Sequence, residues 1–402
     1  MRSIAALLTC LLLFAVPAFA QEVQDVPVDG ARPLSAALDA DGSVRPGVTG
    51  AFDPAGYALT FARDGAPRFT AQYGPDSCGR WDDQFTAPGL TVGGYITAVL
   101  AFDGKICVGG GSFTRAGGVD VSNIALWDGT KWSSMDGGMR GASGHVYALA
   151  TDGTNIYAGG NFVQMGPLSL NNVARWDGTA WSALGAGANN SVYALSWHGG
   201  MLYVGGNFSS TGVPSARIAR WNGATWSAVG GGLGGLCYAM GWRDDTLFVA
   251  GDFRKAGPDS AAFVAKWDGT TWSKLGSGLS SVCFAIAVTP TDVYAGGAFT
   301  TAGGVPASRI ARWNGSSWSA LGAGCAQNVY SIAYMNGSVY AGGDFTSAGG
   351  TAVTGFARWD GAAWSAVGGP FDIRTLGGNL SVRALQTMPD GSGGEKLLVG
   401  GR

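Results

Sequence analysis

Charged side chains are scarce in this sequence of 402 residues, of which only 13% are Asp, Glu, Lys or Arg. A typical globular chain has about 25%. The 25 basic and 27 acidic residues nearly cancel, and no cluster of basic residues offers the charge that phosphate binding requires. Nucleic acid is therefore not an expected partner. The hydrophobic fraction of 46% excludes wholesale disorder, because it is sufficient for a large core.

Residues that carry enzyme chemistry are also scarce. His145 and His198 are the two histidines of the chain, and without a matched cluster of ligands we interpret both as ordinary strand-edge residues. No G-x-S-x-G nucleophile motif occurs, and Gly-rich runs such as Gly230–Gly232 lack the strand–helix context of a phosphate site. The segment Asp39–Ser43 resembles a calcium loop without its downstream bidentate Glu, so a turn is favoured. We expect no catalytic residue, no metal and no cofactor, and an enzyme is the less favoured function.

Long apolar runs are missing too, apart from a short one at the N-terminus. Arg2 supplies a positive charge, Ala5–Val16 an apolar stretch, and Ala18-Phe19-Ala20 an A-x-A cleavage site, which together predict a signal peptide over residues 1–20. The stretch is too short to span a bilayer. We therefore expect export to the periplasm, the cell surface or the medium, without membrane insertion.

Cysteine is rare for an exported protein. Five cysteines remain once the signal peptide is removed: Cys78, Cys107, Cys237, Cys283 and Cys325. This number is too low for a disulfide scaffold. Cys237 and Cys283 occupy equivalent positions of neighbouring repeats, described next. Whether these two residues form a disulfide is left open by the sequence, and two buried thiols are the favoured interpretation.

Glycine and tryptophan, in contrast, are abundant, with 69 and 15 residues, and they recur at a fixed period. A Trp followed by Asp or Asn and then Gly occurs at Trp127, Trp176, Trp221, Trp267, Trp313 and Trp359, and a second Trp follows each after five positions. A Gly-x-Phe segment precedes each pair. Repeats of about 40–50 residues are typical of β-propeller blades.

One repeat shows the expected unit. The runs Val192–Trp197, Met201–Val204, Ile218–Trp221 and Thr225–Val229 are suited to strands, and Asn222-Gly223 is a hairpin signal that favours a type I′ turn. The repeat is therefore predicted to be a four-stranded antiparallel meander. Stacking such units radially would bury the paired Trp side chains between blades, and a sugar-binding stripe is the alternative for them.

The sequence thus predicts an all-β protein, a β-propeller with seven four-stranded blades, one of them split between the chain ends. The expected domains are a signal peptide (1–20), an N-terminal extension (21–79) with a hairpin of Tyr57–Phe61 and Pro67–Ala71, and the propeller (80–402). Six complete repeats fill about 96–369, and the seventh blade would combine 80–90 with 381–402. Alternatively, the sequence is a fragment, because Arg402 precedes the position at which the next Phe would come.

The repeat Tyr-x-Gly-Gly-x-Phe, followed by Ala-Arg-Trp-Asp-Gly-x-x-Trp-Ser-x-Leu-Gly, resembles the kelch-type β-propeller repeat. It is similar to repeats of secreted bacterial propellers, and these are similar to the propeller of fungal cortical polarity-marker proteins. The resemblance covers residues 80–402 and implies a binding or scaffolding role. Galactose oxidase also has a kelch-type propeller, but two histidines are too few for its copper site.

The ligand is expected on the face that carries the long loops between second and third strands, because these loops differ most between repeats. The candidate contacts are Arg115, Gln164, Arg254, Lys255 and Asp259. We expect a secreted, monomeric, non-catalytic module that binds or scaffolds a surface protein or polysaccharide. The alternative is a lectin or carbohydrate-active enzyme with its site in the central funnel.

A basic residue also recurs directly before the first Trp of the repeat, except in the repeat of Trp127, where Leu126 holds this position. It is found at Arg80, Arg175, Arg220, Lys266, Arg312 and Arg358. These residues could form a cationic ring for an acidic glycan. A structural role in every blade, in which each pairs with the polar residue of the Gly-x-Phe turn such as Asp344, is the favoured interpretation.

Overall fold

The computed structural model describes residues 94–136, 139–140, 144–165, 168–367, 381–389 and 394–402, together with four short strands that precede residue 94. The chain divides into two compact units, 1–80 and 81–402. The signal peptide, the Asp39–Ser43 segment, Cys78 and the strand expected within 80–90 lie outside the described residues. Within the described part, no helix is long and apolar enough to cross a membrane.

The N-terminal unit contains two pairs of strands. Tyr57–Phe61 and Pro67–Ala71 form an antiparallel hairpin in which Tyr57 lies opposite Ala71. The predicted hairpin is therefore confirmed. Arg32–Pro33 and Phe52–Asp53 pair in parallel.

The second unit contains six four-stranded antiparallel sheets, here called blades 1 to 6, each paired in chain order. The inner strands are Tyr95–Phe102, His145–Thr151, Val192–His198, Leu236–Arg243, Cys283–Val288 and Val329–Met335. The second strands are Lys105–Gly111, Ile156–Asn161, Met201–Gly206, Thr246–Asp252, Val293–Gly297 and Ser338–Gly343. The third strands are Ile124–Trp127, Val173–Trp176, Ile218–Trp221, Val264–Trp267, Ile310–Trp313 and Phe356–Trp359. The outer strands are Trp132–Ser133, Trp181–Ala183, Trp226–Ala228, Trp272–Lys274, Trp318–Ala320 and Trp364–Ala366.

The connections between second and third strands contain short two-residue strands. They pair within blades 1, 4, 5 and 6 as Arg115–Ala116 with Val119–Asp120, Lys255–Ala256 with Asp259–Ser260, Thr301–Ala302 with Val305–Pro306, and Ser347–Ala348 with Thr351–Ala352. In blade 2, Gln164–Met165 pairs with Leu168–Ser169 and with Met139–Arg140. These connections all leave one face of the ring, because each begins where a second strand ends. We call it the long-loop face.

The prediction of seven four-stranded blades is wrong. The described residues of the propeller form six such blades, and the strands Val382–Pro389 and Glu395–Gly401 form a two-stranded hairpin, here called the C-terminal hairpin. No described strand pairs with the free edge of Glu395–Gly401. The hairpin packs between blade 6 and blade 1, against the inner strands of both, so seven inner strands surround the axis.

The Trp pairs are part of the core, as predicted. The two Trp residues of each blade lie directly opposite one another on the third and outer strands, with ring centroids 5.2–5.6 Å apart. In blades 2, 3, 5 and 6 the outer Trp also donates its indole N–H to a main-chain carbonyl of the preceding blade: Trp181 to Met135, Trp226 to Leu184, Trp318 to Leu275 and Trp364 to Leu321. These hydrogen bonds connect each of the four blades to the blade that precedes it.

The Gly doublets allow close approach within and between blades. A Cβ on Gly159 would lie 2.5 Å from Val192 of the next inner strand, and one on Gly160 would collide with the His145 carbonyl. The Phe residues that follow are the largest fully buried side chains: Phe113, Phe162, Phe208, Phe253, Phe299 and Phe345. The doublet and the Phe are therefore requirements of blade packing.

The Asp-Gly and Asn-Gly segments make the predicted hairpins, but not with type I′ turns. In blade 2 a four-residue loop separates Trp176 from Trp181, and of its residues only Gly178 has positive φ. The Asp177 carboxylate closes the loop by accepting the main-chain N–H groups of Thr179 and Ala180. A type I′ turn needs two residues with positive φ. Here only Gly178 has one, and hydrogen bonds from the main chain to the Asp177 side chain close the loop in place of the second.

This capping predicts an acid-dependent contribution to stability. Hydrogen bonds from Ala180 and Thr179 lower the pKa of Asp177 to about 2, so its contribution is complete above the unfolded pKa of about 4 and lost as the pH falls through 2. Asn222 and Asn314 hold the same position in blades 3 and 5 without a titrating group. We expect the wild type to be more stable than Asp177→Asn at pH 7, and the difference to decrease below about pH 4 and to vanish below about pH 2. Urea unfolding at several pH values measures this, and a difference independent of pH would contradict it.

Two other predictions about side chains have different outcomes. The four described cysteines, Cys107, Cys237, Cys283 and Cys325, are buried free thiols, which confirms the favoured interpretation for Cys237 and Cys283. The pairing expected for the recurrent basic residues is wrong in blades 5 and 6. Arg312 forms its ion pair, at 2.7 Å, with Asp292, which directly precedes the second strand Val293–Gly297 at the end opposite the Gly-x-Phe turn. Arg358 donates to the Ser338 hydroxyl. Asp344 instead accepts a hydrogen bond from Tyr330.

Candidate axial binding site

A β-bulge recurs in all seven inner strands and defines the axial site. In each strand the pairing register skips one residue, and the skipped residues are Thr97, Tyr147, Tyr193, Tyr238, Phe284, Tyr330 and Arg383. We call these seven positions the axial ring. Bulges re-aim side chains and are frequent beside functional sites. Here the repetition places one side chain per inner strand at the axis.

Five consecutive members of the axial ring are aromatic and contact each other around the axis. The centroids of Tyr147, Tyr193, Tyr238, Phe284 and Tyr330 are 5.2–5.7 Å from one to the next, with planes tilted by 43–58°. The Arg383 guanidinium continues the series, 4.7 Å above the Tyr330 ring. The five aromatic residues are half-buried, whereas the Phe residues after the Gly doublets are fully buried. Their remaining surface faces the axis.

Hydrogen-bonding groups surround the ring at the long-loop face. The Tyr330 hydroxyl donates to Asp344 at 3.0 Å and lies 3.2 Å from the Asn328 amide. The other Asp344 oxygen, Oδ1, is buried and has no hydrogen-bond partner within the described part of the chain. Across the axis, His145 Nδ1 lies 3.1 Å from the Tyr95 hydroxyl and 3.2 Å from that of Tyr147. The hydroxyls therefore point toward the face where second strands end.

Two phenol groups of the ring, those of Tyr147 and Tyr238, are held in the protonated form at neutral pH. Burial raises the pKa of Tyr147, and the phenols of Tyr95 and Tyr193 raise it further. Burial also raises the pKa of Tyr238, with additional contributions from Tyr193 and the Asp252 carboxylate. The hydroxyls of Tyr147 and Tyr238 are thus available as neutral hydrogen-bond donors and acceptors.

A cavity of about 210 Å³ lies on the axis among these residues. Its rim includes Tyr147, Tyr193, Phe284 and Tyr330, together with Thr97 and Arg383. A layer of aliphatic side chains lies deeper: Val99, Leu149, Leu195, Met240, Ile286, Ile332 and Leu385. An apolar interior with a few polar groups at the mouth is the usual composition of a ligand site.

The residues predicted as ligand contacts lie on the long-loop face but do not converge. Arg254, Lys255 and Asp259 share one exposed hairpin of blade 4, where the Arg254 guanidinium lies 4.8 Å above the Phe263 ring. Arg115 is in blade 1 and forms an ion pair with Asp120 at 3.2 Å. Gln164 is exposed in blade 2. Their role as ligand contacts stays a prediction.

Sequence reasoning missed the axial ring, although a signal exists. Tyr147, Tyr193, Tyr238, Phe284 and Tyr330 recur at spacings of 45 or 46 residues, always directly after a buried Val or Cys. Simple alternation along a strand does not show which of these residues faces the axis, because the bulge changes the side-chain direction at that point. The position in the repeat identifies them only once the bulge is known.

No family model matches this chain, and the comparison with curated proteins gives no significant match. Among solved structures, the chain is similar to the WD40 β-propeller domain of Doa1, with 13% identity and a TM-score of 0.51 over 78% of this chain and 92% of that one. It also matches YCF48 from Cyanidioschyzon merolae, with 14% identity and a TM-score of 0.45 over 77% and 92%. A further match is the GH74 enzyme of Niastella koreensis, with 13% identity and a TM-score of 0.43 over 69% and 46%.

The likeness to the Doa1 domain shows the fold alone, and the chain is a β-propeller. Its kelch-type character is not confirmed by these comparisons and stays a prediction. The β-propeller fold supports a binding or scaffolding role in general.

Proposed function

We propose that this chain is an exported, monomeric, non-catalytic binding module whose ligand is a surface polysaccharide held at the axial ring. The observation that carries the proposal is the series of five half-buried aromatic side chains in contact around the axis, four of which line a cavity of about 210 Å³. The Phe residues that follow the Gly doublets are, in contrast, fully buried. Half-exposed aromatic rings gathered in one concave place are instead suited to a ligand.

A saccharide matches both kinds of group in the axial ring. The apolar C–H faces of a sugar ring can pack on Tyr and Phe rings, while its hydroxyls need hydrogen-bond acceptors at the edge. Asp344 Oδ1 is such an acceptor, since it is buried without a partner in the described residues. A buried acceptor without a partner is costly, and a ligand hydroxyl would satisfy it.

A protein loop is the competing ligand for the same site. It would bring an apolar side chain to the aliphatic layer below the ring but would not require the Asp344 acceptor. The two ligands are therefore distinguished by Asp344→Asn, which keeps the size of the side chain and removes its charge. A large loss with Asp344→Asn favours a saccharide, and an unchanged affinity favours a protein.

The proposal predicts that aromatic truncation at the ring weakens binding without unfolding the protein. Tyr193→Ala and Tyr238→Ala should each weaken binding to polysaccharide extracted from the source cells by roughly tenfold or more, because each removes the ring face and its contacts with two neighbours. Affinity electrophoresis or a glycan array measures the change. Circular dichroism checks that the variants fold.

Tyr334→Ala is the matched control. Tyr334 belongs to the inner strand of blade 6, near its end at the opposite face, and is 40% exposed. It also stacks on another tyrosine, Tyr294, at 5.8 Å. Its truncation should leave binding unchanged. Equal losses at Tyr238 and Tyr334, or unchanged binding at both ring positions, would refute an axial site.

A further inference from the structure

An arginine in an unusual backbone conformation lies on the long-loop face of blade 5. Arg309 has φ = 66°, in the left-handed region that few residues other than Gly, Asn and Asp adopt. The equivalent positions of blades 1 and 2 are Asn123 and Asn172, whose side-chain oxygens accept the main-chain N–H of Phe113 and Phe162. Asn is thus the residue that suits this backbone locally. A strained residue of another type suggests a function.

The Arg309 guanidinium is only partly satisfied by the protein. Its Nη1 donates to the carbonyls of Ala298 and Phe299, at 3.0 and 3.2 Å. Its Nε is buried and has no hydrogen-bond partner among the described residues. In the same part of the chain, no carboxylate forms an ion pair with Arg309. A partly buried cation normally has such a counter-charge, because burial without one is costly.

Arg309 borders a cavity of about 220 Å³ between blades 5 and 6. The hydroxyl residues Thr300, Ser308 and Ser347 line it together with the main chain at Gly324. None of the described lining residues is acidic, and burial raises the pKa of the lining Cys325 thiol to about 12, which keeps it neutral. Arg309 is therefore the one charged group among the described residues that line the cavity.

From this arrangement we infer a second binding site, in which Arg309 and the hydroxyls of Thr300, Ser308 and Ser347 hold a single oxyanion, the carboxylate or sulfate group of a larger ligand. Guanidinium groups bind oxyanions through paired hydrogen bonds, and hydroxyls complete such sites. The cavity is smaller than the roughly 300–1,000 Å³ of sites for drug-sized molecules, so it suits one substituent. This inference does not depend on the axial proposal.

Blade 3 supplies a matched comparison. Arg217 has the same left-handed conformation, φ = 65°, and donates Nη1 to the Asn207 carbonyl. Its neighbours differ, because Ala216 replaces Ser308 and Lys255 replaces Ser347 at the equivalent positions. Arg217→Asn therefore reproduces the local backbone change without altering the cavity between blades 5 and 6.

The test is a titration of the full chain with inorganic sulfate and, separately, with glucuronate, at constant ionic strength, followed through the amide NMR signals of Gly324 and Ala326. We expect saturable shifts with one or both anions, and the ratio of the two affinities distinguishes a sulfate from a carboxylate site. Arg309→Asn should raise Kd roughly tenfold to a hundredfold. Arg217→Asn and Tyr238→Ala should change it less than twofold.

Absence of saturable shifts with both anions, or equal Kd values for wild type and Arg309→Asn, would overturn the inference. If Arg309→Asn does not fold, Ser308→Ala takes its place and should raise Kd severalfold. A failure here leaves the axial proposal intact, because polysaccharide binding that depends on Tyr238 does not require the Arg309 cavity. Conversely, anion binding that survives Tyr238→Ala supports this site alone.

Discussion

Removal of residues 381–402 is expected to lower the thermal unfolding midpoint more than any single substitution in the propeller. The C-terminal hairpin packs on both of its neighbours. Val382 is buried with Tyr340 and Phe356 of blade 6, and Leu398 packs against the cluster that holds Ile96 of blade 1. Without the hairpin these apolar surfaces are exposed to water, and two blades present unpartnered faces. A loss of several kcal/mol corresponds to a decrease in Tm of about 10–20 °C, measurable by calorimetry.

A point substitution tests the same packing with the chain length unchanged. A Cβ on Gly400 would lie 2.7 Å from the Ile96 side chain, so Gly400→Val should force the hairpin away from blade 1 and lower Tm by several degrees. Glu395→Ala, at an exposed position of the same strand, is the control and should change Tm by about 1 °C or less. A deletion variant with wild-type Tm would show that the hairpin does not hold the ring together.

Truncation of an outer-strand tryptophan is expected to have the second-largest effect. Trp318 is 6% exposed, and Trp318→Ala should reduce the free energy of unfolding by about 3–5 kcal/mol, as for other large aromatic truncations in cores. Chemical denaturation measures this value. A loss below about 1 kcal/mol would mean that the ring is exposed, and would favour the sugar-binding stripe that the sequence left open.

A comparison of two Trp→Phe variants separates the hydrogen bond from the packing. Trp272 holds the position of Trp318 in blade 4 and is 5% exposed, but its Nε1 has no partner within the described residues. The Nε1 of Trp318 donates to the Leu275 carbonyl at 2.8 Å. Trp318→Phe should therefore cost about 1–3 kcal/mol more than Trp272→Phe, since it leaves a buried carbonyl unpaired. Equal costs would show that the bond between blades contributes nothing.

The fold could be predicted from the repeat, because blade packing constrains the same residues in every copy. The Trp pairs and the buried Phe residues satisfy contacts that recur in all six described blades, and the Gly doublets recur in five of them, since Ala250 replaces the first Gly in blade 4. The number of blades could not be predicted, since the ends of the chain carry only partial copies. The hairpin at Tyr57–Phe61 and Pro67–Ala71 was readable from its alternation and its Asp-Gly turn.

The candidate site was harder to predict, because its residues are displayed by a backbone irregularity. The variability of their loop between repeats indicates Arg254 and Lys255 as ligand contacts, yet both residues lie on a solvent-exposed hairpin. Tyr193 and Tyr238 looked like ordinary strand residues, since a bulge leaves no mark in a hydrophobic pattern. Arg309 was similarly hidden, because only its backbone conformation and its lack of a counter-charge distinguish it from other surface arginines.

The most direct test of an axial site is an NMR titration of protein with ¹³C-labelled tyrosine rings, using polysaccharide extracted from the source cells. Tyr147→Phe, Tyr193→Phe, Tyr238→Phe, Tyr330→Phe and Tyr334→Phe assign the signals, and Phe284 shows that a Phe is accommodated in the ring. If the ligand binds at the axial ring, the signals of the four ring tyrosines shift together and saturate at one ligand concentration, while that of Tyr334 does not move. Saturable binding that leaves all four ring signals in place, or that shifts Tyr334 alone, would contradict it.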